Sequence, residues 1–193
     1  MSTPSTPTTS KIMVIRHAEK PADTPPPQGV DVDGNADPES LIPQGWQRAG
    51  GVASLFAPAR GPLQAPELAT PRLLYASGVG KHSHSLRSQE TITPLAARLG
   101  LTIDTSYAKG DEAAMTADAM AQSGVVLICW EHQDIPAIAN QILGNDTGTP
   151  QTWPGDRFDV VWVFDLDARS GTYAFSQVPQ LLLAGDLADP ISG

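Results

Sequence analysis

Apolar positions along the chain switch repeatedly between two periods. Residues 11–15, Lys-Ile-Met-Val-Ile, are a short unbroken apolar run, the pattern of a strand buried on both faces. From Trp46 the spacing becomes helical, with Trp46, Ala49, Gly50, Ala53 and Phe56 on one face. Residues 72–77 predict a second strand. Ile92, Leu95, Ala96 and Leu99 predict a helix that ends at Gly100. Residues 111–122 are rich in Ala and Met and predict another helix, and residues 125–129 a third strand. Ile135, Ile138, Ala139 and Ile142 form a helical stripe stopped by Gly144-Asn145. Residues 160–165 and 172–175 flank Asp167-Ala-Arg-Ser-Gly171 and predict a hairpin. The alternation predicts an α/β fold: a three-layer α/β/α sandwich with a mostly parallel central sheet and a C-terminal hairpin.

Two segments lack periodicity. Residues 1–10, MSTPSTPTTS, have neither a basic start nor an apolar stretch and predict an extended or disordered leader to a single domain over 11–193. Residues 21–44, rich in Pro, Gly and Asp, predict a long loop; 17 glycines and 18 prolines in 193 residues agree with long connections. The charge balance, 12 Lys and Arg against 21 Asp and Glu for a net −9, argues against nucleic-acid or membrane partners, because both need a basic face. The single cysteine, Cys129, excludes an internal disulfide framework, and with the absent secretory start it points to the cytoplasm. Any anion bound here must be held by a few placed cations.

In a parallel sheet, ligands sit beyond the carboxyl ends of the strands. There the first strand runs into Arg16-His17-Ala18-Glu19-Lys20, the second into Ser77-Gly78-Val79-Gly80-Lys81-His82, and the third into Trp130-Glu131-His132. Leu41-Ile-Pro-Gln-Gly45-Trp-Gln-Arg48-Ala49 leads into the first helix, and Ser85-Leu-Arg87-Ser-Gln-Glu-Thr91 opens the second. This ordered set resembles the histidine phosphatase superfamily, also called phosphoglycerate mutase-like. The family pattern is strand–Arg-His-Gly-Glu, Leu-Thr-x-x-Gly-x-x-Gln-Ala, Ser-x-x-x-Arg-x-x-x-Thr-Ala, and strand–His. The resemblance spans residues 11–144. Ala18 stands where Gly is commonest and Ile92 where Ala often follows the Thr.

The resemblance implies a phosphatase that works through a phosphohistidine on His17, without metal or cofactor. Its chemistry fits the residues. A neutral imidazole is a good phosphate nucleophile. Arg16 and Arg87 can fork onto phosphate oxygens, and a protonated His132 would add a further donor as charge builds. The leaving oxygen needs a proton from a carboxylic acid. Glu112 is the first choice, Asp111 the runner-up, with Glu131 and Asp134 behind them. Lys20, Lys81 and His82 would contact substrate at the rim. A phosphorylated small molecule or phosphoprotein is the expected partner, and phosphate or sulfate should occupy the pocket. A mutase, and a phosphate- or phosphopeptide-binding module without turnover, are the alternatives.

Other motifs fall short. Residues 31–39 start like a calcium loop but have Ala36 at the sixth position and Ile42 at the twelfth. A polar lid is the better reading. Gly78-Val-Gly80-Lys81 lacks the upstream Gly and following Ser or Thr of a nucleotide loop. The Arg of a cysteine phosphatase loop would fall at Ile135, so Cys129 reads as core.

Overall fold

The computed structural model describes residues 9–23 and 26–192. Six strands form one sheet in the order β3-β2-β4-β1-β5-β6: β1 Thr9–Arg16, β2 Leu73–Ala76, β3 Ile103–Asp104, β4 Gly124–Trp130, β5 Val160–Asp167 and β6 Thr172–Pro179. β1 pairs parallel with β4, and β2 parallel with β3 and β4; β5 runs antiparallel to both its neighbours. Four helices cover it: α1 Pro43–Phe56, α2 Arg87–Leu99, α3 Glu112–Ala121 and α4 Ile135–Leu143.

The continuous apolar run of β1 has the meaning expected of it, since alternate residues feed two cores. Ile12 and Val14 pack with Met115, Ile135 and Ile138 of α3 and α4, whereas Met13 and Ile15 pack with Val52, Phe56, Ile92 and Leu95 of α1 and α2. Both faces of the sheet are therefore dry, which gives the three-layer architecture. No helix among the described residues is long and apolar enough to cross a membrane.

The leader expected over residues 1–10 needs correction. Thr9 and Ser10 already belong to β1: Thr9 is buried, its hydroxyl donates to the Ala119 carbonyl at 2.6 Å, and Ser10 donates to the Gly124 carbonyl at 2.7 Å. Residues 1–8 lie outside the described residues. The loop expected over 21–44 ends two residues sooner, because Pro43 starts α1. Gly45 earns its place by close approach: a Cβ there would lie 2.5 Å from the Glu19 carbonyl oxygen. The first turn of α1 can thus press against the chain leaving β1. Gly100 and Gly144 end α2 and α4 in left-handed conformation, as their positions predicted.

Candidate active site

The register of the two central strands assembles the site. Arg16 lies opposite Trp130, so His17 and the Glu131-His132 pair leave the sheet side by side, and the His17 amide donates to the Trp130 carbonyl at 3.1 Å. The Ala18 amide donates to the Thr91 hydroxyl at 2.8 Å, and that hydroxyl donates to the Arg87 carbonyl at 2.6 Å. The turn after β1 is thereby tied to the first turn of α2.

His17 is buried, with Nδ1 2.7 Å from the Ala18 carbonyl oxygen. A carbonyl can only accept, so Nδ1 carries the proton and Nε2 the lone pair. Burial, then the Arg16 charge, push the imidazole pKa down to about 3, with smaller contributions from Arg87 and His132; the Ala18 bond opposes them. His132, half-buried, is lowered to about 4 by burial and by Arg16, Lys20 and Lys109. The fold therefore gathers His17, Arg16, Arg87, His132 and Lys20 into one field of mutual repulsion. In this field, with burial the largest cause, the His132 imidazole is held neutral at neutral pH, where it still offers one N–H.

Arg16 is 1% exposed. Its Nη1 donates to the carbonyls of Gly155 at 2.8 Å and Arg157 at 3.1 Å, and its Cζ lies 3.7 Å from the centre of the Phe158 ring. Nε and Nη2 are buried without a hydrogen-bond partner. Burial lowers the guanidinium to about 10, against the raising effect of Glu19 and Asp156, so the cation persists at neutral pH. Arg87 donates through Nε to the Ser40 carbonyl at 3.3 Å and through Nη2 to that of Pro38, with the Glu39 carboxylate at 3.9 Å. Residues 38–40 thus hold its head. The Asp31 carboxylate, expected to fail as a calcium ligand, accepts from the amides of Asp33 and Asn35 and closes its own turn.

Glu112 opens α3, and its Oε1 accepts from the Gly110 amide at 2.9 Å and the Trp130 indole at 3.0 Å. With His82, Lys109, Gly110 and Asp134 it lines a cavity of about 430 Å³. Asp111 accepts from the Ala108 amide at 3.0 Å, closing the turn before the helix. Lys20 lines a second cavity, of about 510 Å³, with Gly155, Phe158 and Gln44. Lys81 is exposed on the turn closed by the Gly80 amide and the Ser83 carbonyl. Cys129 is buried, and burial pushes its thiol up. Among the described residues no group of three or more His, Cys, Asp or Glu is placed to hold a metal ion.

Two contacts escaped sequence reasoning: the segment before β5 supplies the carbonyls and the ring that grip Arg16, and Lys109 pairs with Asp134 at 3.2 Å. Only the Trp-Pro-Gly cluster at 153–155 marked the first as a turn. Glu131, ranked behind Glu112 and Asp111 from the sequence, is a half-buried carboxyl pushed up by burial, with Oε2 unpartnered.

No family model and no curated protein matches the chain. Solved structures do. A protein provisionally described as phosphohistidine phosphatase SixA, from Agrobacterium tumefaciens, is 16% identical with a TM-score of 0.53, the match covering 86% of this chain and 96% of that one. A mutant phosphoserine phosphatase from Entamoeba histolytica, in complex with phosphoserine, is 12% identical with a TM-score of 0.50, covering 91% of this chain and 100% of that one. A protein provisionally described as alpha-ribazole-5'-P phosphatase, from Escherichia coli, is 11% identical with a TM-score of 0.50, covering 89% and 97%. At these identities the likeness is one of fold alone: the chain shares its three-layer α/β architecture with these structures.

Proposed function

We propose that the chain is a metal-independent histidine phosphatase that hydrolyses a phosphomonoester through a phosphohistidine on Nε2 of His17. One observation carries the reading. A buried imidazole with its Nδ1 proton pinned to the Ala18 carbonyl lies beside a buried guanidinium whose Nε and Nη2 have no partner. Unpaired buried donors are costly, and a phosphate dianion is a group that repays them.

In this scheme the Nε2 lone pair attacks phosphorus, the P–O ester bond breaks, and the leaving oxygen takes a proton from a carboxylic acid. Water then attacks phosphorus, giving its proton to the same carboxylate; the P–N bond breaks with its electron pair returning to Nε2, and phosphate departs. Arg16, Arg87 and an N–H of His132 stabilise the transferring oxygens. Glu112 is the proposed acid, with Lys20, Lys81 and His82 at the substrate rim. A second reading assigns the acid to Glu131, favoured by the burial that keeps its carboxyl protonated to higher pH. Phosphorylated small molecules are the proposed substrates and the cytoplasm the proposed setting.

The test compares nitrophenyl phosphate with an alkyl phosphate, both in the presence of chelator. His17→Ala should abolish turnover of both, and wild type denatured in alkali after brief incubation should carry an acid-labile phosphate. Glu112→Gln should slow the alkyl ester much more than the nitrophenyl ester, whose leaving group hardly needs a proton. Selective loss in Glu131→Gln would move the acid there. Substantial activity in His17→Ala would overturn the mechanism.

A further inference from the structure

Beside the proposed phosphate site lies a cavity of a different character. It measures about 290 Å³, and Glu19, Arg48, Asp156, Phe158, Asp159 and Asp186 are among the residues that line it. Phe158 is the connection: its ring stacks on Arg16 and sits 6.2 Å from the His17 ring, centre to centre.

Two of the four acids are spoken for. The Asp186 oxygens accept from Arg48 Nη1 and Nη2 and from the amides of Leu182 and Leu183. The Asp159 oxygens accept from Arg157 Nε and the Leu187 amide. The other two are not. Glu19 is 8% exposed; Arg48 takes its Oε1, while Oε2 is buried with no hydrogen-bond partner. Asp156 is exposed and makes no ion pair among the described residues.

Balancing Arg16 does not account for these two acids. Both lie near enough to act on its charge, yet neither reaches its unpartnered Nε and Nη2. The buried donors of Arg16 and the unpaired acceptors of Glu19 and Asp156 lie within electrostatic reach of one another without meeting. A ligand that is anionic at one end and cationic at the other would satisfy both at once.

Resting on the phosphatase reading, we propose that this cavity receives an ammonium group carried by the alcohol portion of the ester, so that the favoured substrate is a small amine-bearing phosphomonoester. An organic ammonium fits better than a bare metal ion. The wall includes the Arg48 guanidinium, and no metal-holding group of acids and histidines occurs among the described residues. The volume suits a few heavy atoms.

The test uses two non-hydrolysable phosphonates of equal length, 3-aminopropylphosphonate and n-butylphosphonate, titrated calorimetrically into the unmodified protein and into Asp156→Asn. Asp156 is exposed, so its replacement should leave folding intact. The amine should bind about 10-fold more tightly than its neutral twin, the scale of one charge-assisted hydrogen bond. In Asp156→Asn the ratio should fall severalfold, and added salt should shrink it in the wild type. Equal binding of the two by wild type, or a ratio unmoved by Asp156→Asn, overturns the ammonium site. So does failure of both phosphonates to bind while inorganic phosphate binds. Turnover of nitrophenyl phosphate is measured in parallel: its absence counts against the phosphatase reading alone, since the calorimetric ratio judges the cavity without catalysis.

Discussion

Two buried arginines, Arg16 and Arg48, share Glu19 as a neighbour and have opposite surroundings. Arg48, on α1, is 3% exposed and fully engaged: Nε and Nη2 donate to Glu19, Nη1 to Gln180, and Nη1 and Nη2 to Asp186. Burial alone would lower its pKa, but its bonds to Asp186 and Glu19 outweigh burial and raise it. Arg16 is buried as deeply, is gripped only by carbonyls and a ring, keeps two donor nitrogens unpartnered, and has its pKa lowered. Residue type and burial do not separate a structural arginine from a receptive one. Satisfaction of the hydrogen-bonding groups does. Arg48 closes a network within the protein, and Arg16 leaves two donors of its own unpaired.

Exchanging each for methionine should break the symmetry in opposite ways. Arg48→Met strands Asp186 and Glu19 in the interior and should cost about 3–5 kcal/mol, the range for breaking a buried ion pair from one side. Urea denaturation measures it, and a loss below ~1 kcal/mol would make the cluster incidental. Arg16→Met should act on rate: turnover of nitrophenyl phosphate should fall on the order of 10²–10³-fold, as for loss of one transition-state donor. Its stability should change by less than ~1.5 kcal/mol, because relief of a buried cation offsets the lost carbonyl bonds. Equal destabilisation by both variants would erase the distinction.

A third effect is on acid stability. His17 and His132 titrate at about 3 and about 4 in the folded chain, against 6.5 when unperturbed. The unfolded chain therefore binds more protons as pH falls below 6.5, and the stability fully present above that value should drain away towards pH 3. Around Arg48 the relevant group is Asp186, whose folded carboxyl lies below its ordinary 3.8 under the opposing pulls of burial, which raises it, and the stronger bonds to Arg48 and the Leu183 and Leu182 amides. Its contribution is lost only as pH falls through the lower window. His132→Asn should roughly halve the histidine-driven fall of the urea midpoint between pH 6.5 and 4, leaving the share of His17, which runs on to about pH 3. An unchanged slope would mean that His132 titrates normally.

What could be read from the chain was local. The two-faced apolar run of β1, the glycine stops of α2 and α4, and the motifs around His17, Arg87 and His132 each sit within a few residues, so their periods and spacings survive in one dimension. What escaped was contact between distant segments. The carbonyls of Gly155 and Arg157 meet Arg16 across some 140 positions, and Asp186 meets Arg48 across 138. No pattern marks such pairs. β3 has two residues and no period to detect. On α1 the expected face was partly displaced: Ala49, Ala53 and Phe56 are buried, but Gly50 is exposed and Val52 and Leu55 join the core, since the helix curls onto α2 as well as the sheet.

The central placement of β1 also orders the assembly of the sheet during synthesis. The strand that delivers Arg16 and His17 is made well ahead of its partners on either side, since β4 and β5 follow more than a hundred residues later. Until they arrive, β1 offers two unpaired edges and a strongly apolar surface, a hazard for sticking to other chains. Closing such long loops is slow, and it makes assembly nearly all-or-none. The clamp on Arg16 comes just ahead of β5, and the Asp186 that locks Arg48 comes after β6. A nascent chain therefore cannot clamp Arg16 before Arg157, or lock Arg48 before Asp186, has left the ribosome.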